Sequence, residues 1–143
     1  MAYSNYDAST TNKSKRSNKI YSDLNLSFTK NPATKDVAKI LDVQAIKRAV
    51  KNIILTNKYE RPFNSDFGCN LRGFLFENIT DPLLVIIKDR VAMAIEKYEP
   101  RVSVEDVVVQ NDEENNGLNI MVSFLINGTE APVSVSTFLQ RVR

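Results

Sequence analysis

The chain has 143 residues, 43% hydrophobic and 25% charged, a length that suits one compact domain plus a tail and a balance close to soluble globular averages. The formal charge of +2 is uneven: Lys13, Lys15, Arg16 and Lys19 against Asp7 give residues 1–19 a charge of +3 and leave −1 for the remainder, so the domain lacks the basic face that nucleic-acid binding needs. Histidine is absent and Cys69 is the single cysteine, which removes the common acid–base triads, Cys/His metal sites and intramolecular disulfides.

Residues 1–19 contain no Val, Ile, Leu or Phe and are expected to form a flexible basic arm, because they bury too little surface to offset the entropy of ordering. They have no apolar h-region, and the longest apolar run, Leu83–Ile87, is far short of the roughly 20 residues that span a bilayer. Assembly in a reducing cytosol, without a membrane or a cofactor, is the expectation. Residues 20–143 are expected to form a single domain.

Leu24, Leu26 and Phe28 alternate with polar residues, the period of a half-buried strand, which Asn31-Pro32 ends. Val37–Leu41 reads as a second short extended piece. Asp42 is placed to cap a helix that carries Val43, Ile46, Val50, Ile53 and Ile54 on one face and runs to about Asn57. Residues 58–69 follow neither period and hold Pro62 and Gly68, as a loop would. A short helix over Asn70–Phe76 would bury Leu71, Phe74 and Leu75. Asp81-Pro82 then starts a long helix striped with Leu84, Ile87, Val91, Ile95 and Tyr98, which Pro100 stops.

Val102, Val104 and Val107–Val109 read as a strand, and Leu118, Ile120, Val122, Phe124 and Ile126 give the cleanest alternation in the chain. The two form a hairpin around the acidic turn Asn111–Gly117. Asn127-Gly128 supplies residues that tolerate positive φ for the next turn, and a third strand begins at Val133. The fold class is therefore α+β: a mainly antiparallel sheet with about three helices packed on one face.

Carboxylates are the remaining route to catalysis. Asp112, Glu113 and Glu114 are clustered but lack the alternating spacing of a calcium loop. A glycosidase needs two carboxyl groups about 5–9.5 Å apart across a cleft. Glu60, Glu77 and Glu99 qualify by residue type alone, which keeps a glycosidase as the alternative function.

Two segments break the regular periods while keeping charged and aromatic residues. One runs from Tyr59 to Gly68. The other is Glu99-Pro100-Arg101, where a carboxylate sits in the last helical turn against the macrodipole, at a cost of about 0.3–1 kcal/mol, and asks for a compensating cation. Pro100 excludes Glu99 from the α region, so that Glu99 and Arg101 project to the same side. One arginine, Arg61 or Arg101, is expected to fork onto Glu99 within the domain, leaving the other for a partner's carboxylate.

The string Glu60-Arg61-Pro62-Phe63-Asn64-Ser65-Asp66-Phe67-Gly68, then Leu71 and Phe74-Leu75-Phe76-Glu77, then Glu99-Pro100-Arg101-Val102, resembles the baseplate wedge family of contractile-tailed phages, often called lysozyme-like or sheath-initiator. The likeness runs from about Tyr21 to Arg143, and Glu-Pro-Arg is its most specific mark. Ser65 stands where many relatives carry Pro. The resemblance implies a non-enzymatic structural subunit of the virion tail baseplate, assembled in the host cytoplasm, with a fold like the conserved domain of the sheath protein. It further implies that other wedge proteins, the tail sheath and the tail tube are partners, and that the sheet initiates sheath polymerisation by accepting strands from sheath arms. The family's partner-binding positions carry over to Glu99, Pro100 and Arg101 and, in the loop, to Arg61, Pro62, Phe67 and Gly68.

Overall fold

A computed structural model describes residues 21–129 and 131–141; the expected basic arm, residues 1–19, lies outside them. The chain divides into two compact units at the Asp42/Val43 boundary.

In the first unit, β1 (Ser22–Leu24) pairs antiparallel with β2 (Lys39–Leu41), with Asp23 opposite Ile40. The alternation at Leu24, Leu26 and Phe28 does not continue β1. The Asn25 side chain accepts the Ser27 N–H at 3.0 Å while its carbonyl accepts that of Phe28 at 2.9 Å, an Asx turn that competes with the ladder. Phe28 takes φ 50° and is 74% exposed, so the predicted half-buried face does not form. The Asn31-Pro32 turn does: Asn31 accepts the Ala33 amide on its side chain and the Lys35 amide on its carbonyl, both at 2.9 Å. Asp42, where the following helix begins, closes this unit on Tyr21, whose N–H its carboxylate accepts at 3.1 Å.

The second unit carries the core. Helix α1 (Asp42–Leu55) buries Ala45, Ile46, Val50, Ile53 and Ile54 at helical spacing. It stops where Thr56 folds its hydroxyl back onto the Asn52 carbonyl at 2.6 Å. The third expected helix is reduced to a single 3-10 turn, Phe74–Phe76, leaving two α-helices among the described residues. The left-handed Asn70 (φ 55°) precedes a segment too short to repay helix nucleation. Leu71 and Leu75 are nevertheless buried, while Phe76 is exposed.

Helix α2 (Asp81–Tyr98) starts one residue earlier than the capping signal suggests, with Thr80 at the N-cap and Pro82 in the first turn. It buries Leu83, Ile87, Val91, Ala94 and Ile95 and packs against β3 (Val102–Asp112). β4 (Gly117–Ile126) and β5 (Val133–Gln140) complete an antiparallel sheet in the order β3-β4-β5. The predicted alternation is realised: Leu118, Ile120, Val122, Phe124 and Ile126 are all buried, each such side chain contributing about 1.5–3 kcal/mol. Opposite residues of the sheet, such as Asn119, Met121 and Ser136, face outward.

Candidate functional site

The end of α2 is built by the proline. Glu99 leaves the helix with φ −126° and ψ 79° while its N–H still donates to the Ile95 carbonyl at 2.8 Å. The residue is 4% exposed, which for a carboxylate demands a partner. Arg101 supplies it as a fork: Nε donates to Oε1 at 2.5 Å and a terminal nitrogen to Oε2 at 2.6 Å, with the Arg101 backbone N–H also directed at Oε1 at 3.4 Å. Both carboxylate oxygens are thereby engaged, with the planar geometry only arginine provides. This is the cation that the helix terminus requires.

The turn after β4 closes over the same junction. Asn127 donates its backbone N–H to the Arg101 carbonyl and its side-chain amide to the Pro100 carbonyl, both at 2.9 Å. The sequence marks Asn127 as a turn former; that its side chain seals the Glu-Pro-Arg junction depends on β4 returning to the start of β3, which the hairpin register brings about with Val102 opposite Ile126.

The long loop is drawn to the same end of α2. Tyr98 donates its hydroxyl to the Asp66 carbonyl at 2.7 Å, bridging residues 32 apart. Its ring lies 4.8 Å from that of Phe67, tilted by 48°, and the Arg61 guanidinium sits 4.0 Å above Phe67. The loop is pinned internally by the Tyr59 N–H on the Ser65 carbonyl at 2.7 Å and by Glu60 accepting the Asn57 N–H at 2.8 Å. Ser65 thus acts through a backbone carbonyl, which a proline would equally offer.

Gly68 lies where no side chain fits. Its φ is +102° and a Cβ would collide with the Thr56 carbonyl, the same carbonyl that accepts the Cys69 N–H at 3.1 Å. Cys69 behind it is fully buried, and burial pushes its thiol up to about 12 despite the nearby Arg90 charge. It is therefore a packed residue and a poor nucleophile.

The seven predicted positions thus fall into two kinds. Glu99, Gly68 and the half-buried Phe67 hold the local fold, whereas Arg61, Pro62 and Pro100 are exposed and Arg101 is partly so. Among the described residues no carboxylate lies within ion-pair distance of Arg61, so Arg101 is the internal arginine and Arg61 the outward one. Tyr98, read from sequence only as part of the apolar stripe, proves to be the link between the two motifs. Tyr59 and Phe63, 81% and 108% exposed and both left-handed at φ 66°, extend the outward face. A cleft of about 650 Å³ adjoins it, lined by Lys58, Asp66, Arg90, Met93 and Lys97. No group of carboxylates and thiols among the described residues is arranged to hold a metal ion, and no helix there is long and apolar enough to cross a membrane.

Comparison with known proteins bears on the family and the fold. The baseplate wedge protein gp25 of Enterobacteria phage T4 is 39% identical over 85 residues, covering 59% of this chain and 64% of the relative's own length. Three solved structures share the fold. A chain of the anti-feeding prophage baseplate has a TM-score of 0.60 at 24% identity over 83% of this chain and 84% of its own length. A putative tail lysozyme from Geobacter sulfurreducens has 0.65 at 24% over 74% and 98%. A chain of the postcontracted baseplate of pyocin R2 has 0.60 at 16% over 76% and 100%. The model of the family described as baseplate wedge protein gp25 matches residues 42–131, from the start of α1 to the turn before β5, and the chain belongs to that family.

Proposed function

We propose that this protein is a non-enzymatic structural subunit of a contractile-tail baseplate in the virion, seated among other wedge proteins around the tail tube and serving as the template on which the tail sheath begins to polymerise. The observation that carries this reading is the joining of two distant motifs into one stiff outward surface. Tyr98 and Phe67 lock the loop to the helix end, Glu99 neutralises Arg101 from within, and Arg61, Pro62 and Pro100 are left facing out. A pre-organised surface of this kind loses little entropy on docking, and an outward arginine over an aromatic ring is a common interface anchor. The wedge partner meets this surface with a carboxylate for Arg61. Sheath arms add as strands to the open sheet, in the manner of the sheath protein's own conserved domain, since its edge strands offer unpaired N–H and C=O groups.

Two of the three candidate carboxylates speak against the hydrolase alternative. Glu99 has both oxygens held by Arg101, and Glu60 is bound to the backbone of Asn57, so neither is poised as a general acid or nucleophile. Robust cell-wall hydrolysis by the purified protein, lost on mutating one glutamate, would reverse that choice.

The direct test is Arg61→Glu. The variant should fold as the parent does yet fail to co-purify with its wedge neighbours when tails are assembled; normal incorporation would refute the docking surface. A map of the assembled tail end tests the sheath role, which fails if this chain's sheet stands remote from the first sheath ring.

A further inference from the structure

The sheet has two outer strands, and they are not equivalent. β3 carries the devices that discourage strand addition. Its register shifts between Val104 and Asp106, it holds Glu105, Asp106 and Asp112, and the Asp106 carboxylate takes the Val107 N–H at 2.9 Å as well as Lys88 Nζ at 2.9 Å. A backbone donor of β3 is thus already occupied by a side chain. β5 carries none of these devices. It pairs without interruption from Val133 opposite Phe124 to Gln140 opposite Gly117, and its sequence Val-Ser-Val-Ser-Thr-Phe-Leu-Gln has no charge and no proline.

β5 also contains an unanswered polar group. Besides Glu99, the buried polar residue among those described is Thr137, 4% exposed, and its Oγ1 makes no hydrogen bond. Val135 and Leu139 flank it on the same buried face. A buried hydroxyl is normally paired, and one left alone costs stability. On the inner side Thr137 is opposite Ile120, which offers its side chain nothing. On the outer side of β5 there is no strand among the described residues.

We propose that β5, and not β3, is the edge that receives the sheath arm, and that the arm brings a hydroxyl or amide side chain to Thr137. This rests on the strand-addition reading above. A strand laid along β5 sets a side chain on the same face about 4.5–5.5 Å from that of Thr137, within reach of a Ser, Thr, Asn or Gln. The residues two places to either side of it meet Val135 and Leu139 and are apolar. The arm therefore has the pattern apolar, any, hydroxyl or amide, any, apolar, and Thr137 discriminates it from a wholly apolar strand, which would leave the hydroxyl unpaired.

The test uses the full chain in assembled tails. A thiol-anchored photo-crosslinker is placed at Ser136→Cys on β5 or Val108→Cys on β3, with buried Cys69 silent in both. Thr137→Val and Thr137→Ser are scored for the fraction of tails bearing sheath and, as isolated proteins, for urea stability. The expected results are sheath adducts from Ser136→Cys alone, a loss of about tenfold in sheathed tails for Thr137→Val, and retention for Thr137→Ser. Isolated Thr137→Val should be at least as stable as the parent, since it removes an unpaired hydroxyl; a less stable variant would mean that the hydroxyl has a partner in the free chain and would overturn its role. Adducts from Val108→Cys alone overturn the edge assignment. Normal sheathing with Thr137→Val overturns the part given to Thr137. If neither position yields a sheath adduct in baseplates that contain the chain, the strand-addition reading itself fails.

Discussion

Replacing Arg101 by Met keeps an unbranched apolar stem and removes the fork from Glu99. Removing one partner of a buried ion pair costs about 3–5 kcal/mol because the other charge is left desolvated. The Arg101 side chain is 24% exposed and that of Glu99 5%, so water reaches one end of the pair, and we expect a cost of about 2–4 kcal/mol. Arg101 has further interactions, which a double-mutant cycle removes from the account. With Glu99→Gln as the second change, the pair should couple by about 1.5–3 kcal/mol, and the double variant should be more stable than Arg101→Met alone because no charge is then stranded. Urea unfolding with linear extrapolation gives each corner. The exposed pair Lys88–Asp106, at 48% and 55%, is the internal control: raising salt from about 0.05 to about 0.5 M should abolish its coupling and spare most of that between Glu99 and Arg101. An Arg101→Met cost below about 0.5 kcal/mol, or additivity within that range, would refute the reasoning by showing a pair no better than a surface contact.

Gly68→Ala should destabilise the chain by about 2–4 kcal/mol in thermal or urea unfolding, since it combines a left-handed φ with a clash against the Thr56 carbonyl; a loss under about 1 kcal/mol would mean that the loop yields easily. Cys69, its thiol pushed up to about 12 by burial, should react with a thiol reagent at about pH 8 only as fast as the structure opens, and Gly68→Ala should accelerate that labelling. Prompt stoichiometric labelling of the native parent would contradict the burial. Lys88 holds Asp106 below the usual carboxylate range, first through its hydrogen bond and then through its charge, with the Val107 N–H adding to the effect. A folded value below the unfolded one means that the contribution is complete above about pH 4 and is lost as pH falls through the folded value. Lys88→Met should accordingly flatten the acid limb of the urea midpoint against pH, and an unchanged limb would remove Lys88 as the cause.

Much of the second unit is legible in the sequence because its signals are local and dense. Five alternating apolar residues from Leu118 to Ile126 leave no other period to choose, and the stripe of α2 is equally plain. The failures are places where a polar side chain redirects the backbone. Asn25 diverts β1 through its own Asx turn. At the short segment after Asn70, apolar content predicts burial correctly at Leu71 and Leu75, but the segment is too short to sustain more than one 3-10 turn. The site divides in the same way. Glu99 and Arg101 are two residues apart across a proline, so their pairing follows from chain geometry. The Tyr98 bond to Asp66 and the Asn127 bond to Pro100 link residues 32 and 27 apart, and only the assembled fold brings them together.

The three-stranded sheet has a consequence for how the molecule folds. Every strand in it pairs with its immediate neighbour in sequence, and α2 lies against the strand that directly follows it. Low sequence separation between contacting elements lowers the loop entropy that must be surrendered before contacts form, and such topologies fold fast. The fork at Glu99 and Arg101 is the most local of these contacts and joins the end of α2 to the start of β3. Helix end and strand start can therefore be aligned before the hairpins zip, which leaves the sheet, whose outer strands have no further strand beside them among the described residues, little time in partly folded forms that aggregate.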